Sequence, residues 1–119
     1  GGEDDQPRLT DWKIEMNPNQ EYVDPIRIHY EYAGGREGKS AIEWFREREG
    51  FEGIGKEEEH FEAISTPDPL LYQPTVDDIG RRIKIYITPV RADGVVGPTY
   101  QHILDALALP DRVNDEVFR

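Results

Sequence analysis

The chain predicts an all-β fold, an antiparallel sandwich of about seven short strands. Three observations predict it. Apolar and polar residues alternate with a period of two in several separate runs. Glycine, proline, asparagine and aspartate punctuate those runs at short intervals. No stretch reads as a helix of any length.

The segment from Gly1 to Arg8 is polar and acidic without periodicity, and reads as a flexible lead-in. Gly1-Gly2 reads as a cleavage scar, so the natural protein is expected to extend both ways. From Leu9 the pattern changes. Trp12, Ile14 and Met16 alternate with Lys13 and Glu15, which predicts a first strand ended by Asn17-Pro18-Asn19. Ile26, Ile28, Tyr30 and Tyr32 share one face of a second strand, and Arg27, His29 and Glu31 the other. Gly34, Gly35 and Gly38 break it and leave a mobile loop around Arg36 and Lys39. Ser40 to Glu47 forms a third strand, with Ile42 and Trp44 opposite Ala41, Glu43 and Phe45.

Gly50, Gly53 and Gly55 mark an irregular stretch, and Lys56 to Glu59 reads as a solvated edge. His60 to Ser65 forms a fourth strand. Thr66-Pro67-Asp68-Pro69 is a turn, because proline fixes φ and removes a ladder donor. Leu70 to Gln73 is a short fifth strand. Thr75 followed three residues later by Asp78 predicts a capped helical turn. Val76 and Ile79 would then face the same way and pin the turn to the core. Gly80 is free to leave with positive φ.

Ile83, Ile85 and Ile87 point to one side of the sixth strand; Arg82, Lys84, Tyr86 and Thr88 point to the other. Asp93-Gly94 is a hairpin signal. Val95 to Leu107 returns as the last strand, with a bulge expected at Gly97-Pro98. The boundaries read as a lead-in over 1–8, a domain over 9–108 and a polar C-terminal linker over 109–119. Trp44 on the third strand is placed to pack against the isoleucines of the penultimate strand. That arrangement fits an immunoglobulin-like plan, with an antiparallel barrel of similar strand number as the alternative. The expected core includes Ile28, Tyr30, Trp44, Ile83 and Ile85.

The totals fit one domain of 119 residues. Hydrophobic residues make up 36% and charged residues 33%, which predicts a modest core with polar ends. The absence of cysteine excludes a disulfide scaffold, a thiolate zinc site and a cysteine nucleophile, and leans towards a reducing compartment. No apolar run reaches the ~20 residues of a membrane span, and nothing reads as a signal peptide. A net charge of −11 disfavours nucleic acid and anionic membranes as partners.

Three segments carry a family resemblance: Ser40-Ala41-Ile42-Glu43-Trp44-Phe45-Arg46; Tyr72-Gln73-Pro74-Thr75-Val76-Asp77-Asp78-Ile79-Gly80-Arg81; and Ile87-Thr88-Pro89-Val90 with Asp93-Gly94 and Gly97. Over roughly Tyr22 to Leu107 the chain resembles the immunoglobulin-like repeat of the plant and protist microtubule-associated protein "auxin-induced in root cultures nine". Where such repeats often carry a cysteine, this chain has Tyr86 and Ile87. The resemblance implies a repeat of a cytoplasmic, cytoskeleton-associated scaffold. It brings no catalytic or ligand-binding residues.

The residues themselves offer little chemistry. Asp77 and Asp78 are adjacent carboxylates, but neighbours on a helical turn point apart, and capping accounts for Asp78. His29, His60 and His102 have no zinc spacing, and Ser40 and Ser65 lie in no nucleophile elbow. The glycine clusters open no phosphate-binding helix. No metal, cofactor or catalytic residue is therefore assigned.

Arg46 and Arg48 on the third strand, with Arg81, Arg82 and Lys84 on the sixth, form a candidate basic stripe for a protein partner. The competing role is ion pairing with Glu43, Glu47 and Glu49. Arg46 shares the parity of Trp44, so reaching water requires a position past the core or past a bulge. The expected function is a non-catalytic structural or protein-interaction module with a cytoskeletal protein partner. Direct tubulin binding by this domain alone is not expected. The alternative is an adhesion or surface repeat of a secreted protein.

Overall fold

The computed structural model describes residues 6–17, 21, 23–49 and 60–107. Seven strands form: β1 (Arg8–Glu15), β2 (Ile26–Ala33), β3 (Ala41–Glu47), β4 (Phe61–Ile64), β5 (Leu71–Tyr72), β6 (Ile83–Thr88) and β7 (Tyr100–Leu104). They make two antiparallel sheets, one ordered β1-β2-β5 and the other β4-β3-β6-β7. The chain is an immunoglobulin-like β-sandwich, as its alternation predicts. No α-helix occurs among the described residues. The charge run 56–59, the glycine stretch 50–55 and the linker 109–119 lie outside the described residues.

Alternation places the core. Ile83, Ile85 and Ile87 are all fully buried on β6, and Ile26 and Ile28 face them from β2. Trp44 is 3% exposed and lies opposite Ile85 in register. Its ring packs against Tyr72 of the other sheet at 5.5 Å, and its indole N–H donates to the Pro69 carbonyl at 2.8 Å. The N–H is thus satisfied within the core, as burial demands. Tyr30, expected in the core, is half-buried: its hydroxyl reaches out to donate to Glu37.

Four expectations need correction. Pro7 is buried and Arg8 already pairs with Ala33, so the ordered edge begins before Leu9. The bulge lies in β1 between Leu9 and Asp11, not at Gly97-Pro98. Leu9 and Trp12 are an odd number of residues apart, and the extra residue, Thr10, lets both turn inward. Gly97 serves another purpose: a Cβ there would lie 2.1 Å from the Pro7 carbonyl oxygen. The loop around Arg36 and Lys39 is tied to the β6–β7 hairpin by bonds from Gly38 N–H to Val90 and from Ala92 N–H to Arg36. Finally, Val76 is 65% exposed, so it does not pin its turn.

Candidate interaction surface

The turn Val76–Asp78 is a short three-ten helix with a complete capping box. The Thr75 side chain accepts from Asp77 N–H, and the Asp78 carboxylate accepts from Thr75 N–H at 2.8 Å. Gly80 follows with φ of +79°, the positive value expected. What holds the turn down is Asp78 itself. It has no exposed surface, while Asp77 beside it faces solvent. Asp78 accepts from the Tyr72 hydroxyl at 2.7 Å and from Arg46 Nη1 at 3.2 Å. Burial first, and then the bond to Asp78, push the Tyr72 phenol well above its ordinary range.

This arrangement resolves the parity of Arg46. Its register with Glu62 and Ile83 is unbroken, so no bulge carries it outward. It stays on the Trp44 face and a buried carboxylate comes to meet it. Glu62 completes the pair at 3.4 Å. Burial opposes the Arg46 charge, but bonds to Asp78 and Glu62 prevail and raise its pKa. Its Nε stays without a hydrogen-bond partner. Arg46 is thus a structural cation.

The remaining stripe residues divide. Arg81 bridges Glu49 at 3.0 Å and Glu62 at 3.8 Å. Arg82 grips Glu47 through Nε and Nη2, and its N–H donates to the same carboxylate. Burial would raise the Glu47 carboxyl, but these bonds hold it below the ordinary carboxylate range. Glu47 and Glu49 pair as anticipated; Glu43 makes no ion pair among the described residues. Glu62 was not anticipated, because only the β3–β4 register brings it beside Arg46.

Lys84 points away from the isoleucines, as its parity requires, yet it is only 4% exposed. Its ammonium sits 4.2 Å from the Phe61 ring centroid, 5.0 Å from Tyr86 and 5.4 Å from Phe45. The rings stabilise the cation through their π faces while covering it. Lys84 is therefore not a solvent-facing stripe residue. Arg48 is exposed beyond the end of β3, and its N–H donates to the His60 carbonyl.

The other candidates stay apart. His29 is exposed and pairs with Glu15 across β1 and β2, His102 packs edge-on against Trp12, and His60 is buried. Ser40 donates to Glu37 and accepts from Val90 N–H. No group of three or more His, Asp or Glu among the described residues is arranged to hold a metal ion. None of the described helices is long and apolar enough to cross a membrane.

Comparison with known proteins places this geometry. The family model "AIR9 A9 domain" matches residues 12–104, from the first core tryptophan to the last residue of β7. The "187-kDa microtubule-associated protein AIR9" of Arabidopsis thaliana is 30% identical over 115 residues, or 95% of this chain. The chain spans only 6% of that relative's length. The match covers both sheets and the capped turn between them, and the chain belongs to the AIR9 A9 domain family.

Proposed function

We propose that the chain is a non-catalytic structural or protein-interaction module of a cytoplasmic, cytoskeleton-associated scaffold, working as a spacer or docking unit. Its relative is named as microtubule-associated, and a unit covering 6% of such a chain need not carry the filament contact. The observation that carries the spacer reading is the state of the arginines. Arg46, Arg81 and Arg82 are each paired with carboxylates of their own domain, and Lys84 is under aromatic rings. An acidic filament would have to break those pairs, against a net charge of −11. A protein partner that uses this end of the sandwich meets Arg48, Arg81 and Arg82 at its rim.

Co-sedimentation of the chain with microtubules at physiological salt tests the proposal. The expected result is no saturable pelleting. Saturable pelleting that disappears in an Arg81→Glu, Arg82→Glu double variant would make the rim a tubulin site and overturn the spacer reading.

A further inference from the structure

Both ends of the sandwich carry features that neither sheet face shares. Pro7 lies against the backbones of Gly34 and Gly97, beside the Val90–Val96 bridge. Leu107 lies against Ile79 and accepts from Gly80 N–H. β6 runs from one group to the other, and its 6 residues at ~3.3 Å each separate them by about 20 Å. The chain therefore enters at a Pro7 pole and leaves at the opposite, Leu107 pole.

The large hydrophobic side chains exposed among the described residues are Val23 at 42%, Val76 at 65% and Val96 at 61%. All are at the poles. Val96 is at the Pro7 pole, next to Gly97. Val76 is on the capped turn of the Leu107 pole, and Val23 joins it there through the bond from Gln73 Nε2 to its carbonyl.

Charge divides in the same direction. At the Pro7 pole, Arg36 and Lys39 are exposed and have no carboxylate partner among the described residues. Of the acids nearby, Asp93 is held by Arg91, while Glu37 accepts from the Tyr30 and Ser40 hydroxyls and keeps its charge, leaving two cations against one carboxylate. At the Leu107 pole Arg46, Arg81 and Arg82 are engaged by carboxylates, and Asp77 is exposed beside Val76 with no cationic partner among the described residues. One pole thus offers Val96 beside Arg36 and Lys39, and the other offers Val76 and Val23 beside Asp77.

We infer that these poles are a head-to-tail junction: the Leu107 pole of one copy seats on the Pro7 pole of a second copy of this chain. Val76 and Val23 cover Val96, and Asp77 meets Arg36 or Lys39. The contact is heterologous, because two different surfaces meet, so it propagates instead of closing at a dimer. Opposed chain ends are the geometry that lets such a contact join successive copies into a row. The inference needs no microtubule contact, and it survives if the spacer reading fails.

Sedimentation velocity of the chain across a concentration series tests it, with two double variants. Val96→Asp, Arg36→Glu blocks the Pro7 pole; Val76→Lys, Asp77→Lys blocks the Leu107 pole. All four positions are at the surface, and an unchanged unfolding transition confirms that each variant folds. The parent is expected to grow beyond dimer with rising concentration, and less so in high salt. Each variant alone is expected to self-associate at least tenfold more weakly. Mixed together, they retain one intact junction and are expected to form a 1:1 dimer that grows no further. Amide shifts of the parent on concentration should map to residues around Val23, Val76 and Val96. A parent that stays monomeric throughout, either variant associating like the parent, or a mixture that stays monomeric would each overturn the junction.

Discussion

Asp78 shows how much one buried side chain can decide. A carboxylate without water is tolerable only with a full set of donors. Asp78 has the Tyr72 hydroxyl, the Thr75 N–H and Arg46. Asp78→Ala should therefore cost about 3 kcal/mol, the lower end for breaking a buried ion pair. Loss of a simple cap costs only about 0.5–2 kcal/mol. Urea unfolding distinguishes the two values, and Tyr72→Phe should lose a smaller part, about 1–2 kcal/mol. The capping role of Asp78 was legible three residues from Thr75. Its bond to Arg46 was not, because the two are 32 positions apart and no local pattern records the meeting.

Glu47 makes a second residue-scale test. Its folded-state pKa is depressed, so its stabilising contribution is complete above the unfolded value of about 4.3. That contribution is lost as the pH falls through the lower, folded value. The parent should therefore lose stability from about pH 5 downward more steeply than Glu47→Gln. At neutral pH the variant should be weaker by about 1–2 kcal/mol, since Arg82 supplies charge-assisted bonds partly shielded from water. Denaturant titrations at a series of pH values measure both. Parallel profiles for parent and variant would remove Glu47 from the acid response.

At the scale of elements, the strands follow from local patterning and their irregularities do not. Period two identified β1, β2, β3 and β6 and placed Trp44 and the three isoleucines inside. The Gly97-Pro98 pair predicts a bulge in the last strand, but the bulge forms at Thr10 in β1. A bulge answers to a mismatch of parity between Leu9 and Trp12, whereas Gly97 answers to a neighbouring backbone. The two uses of glycine can be separated experimentally. Gly80 has positive φ with open space around it, so Gly80→Ala should cost about 1–2 kcal/mol from conformation alone. Gly97→Ala puts a methyl group into the Pro7 carbonyl and should cost more, about 3 kcal/mol, because backbone must move. Thermal unfolding of the two variants gives the order. The reverse order would mean that the Pro7 segment yields easily.

At the scale of the molecule, the sandwich makes two poles from segments that are distant in sequence. The sequence by itself determined the all-β class, the near-complete list of strands, the capped turn, the positive φ at Gly80 and the family. These rest on alternation, punctuation and short motifs, each of which acts over a few residues. Tertiary structure alone decided the fate of the charges. Register across β3, β4 and β6 gave Arg46 its carboxylates, hid Lys84 under three rings and paired Arg81 and Arg82. It also left Val96 and Val76 bare at opposite poles. The physical reason is range. Backbone conformation is chosen by neighbours along the chain, while the solvation and pairing of a charge depend on whatever the folded chain brings within a few ångströms.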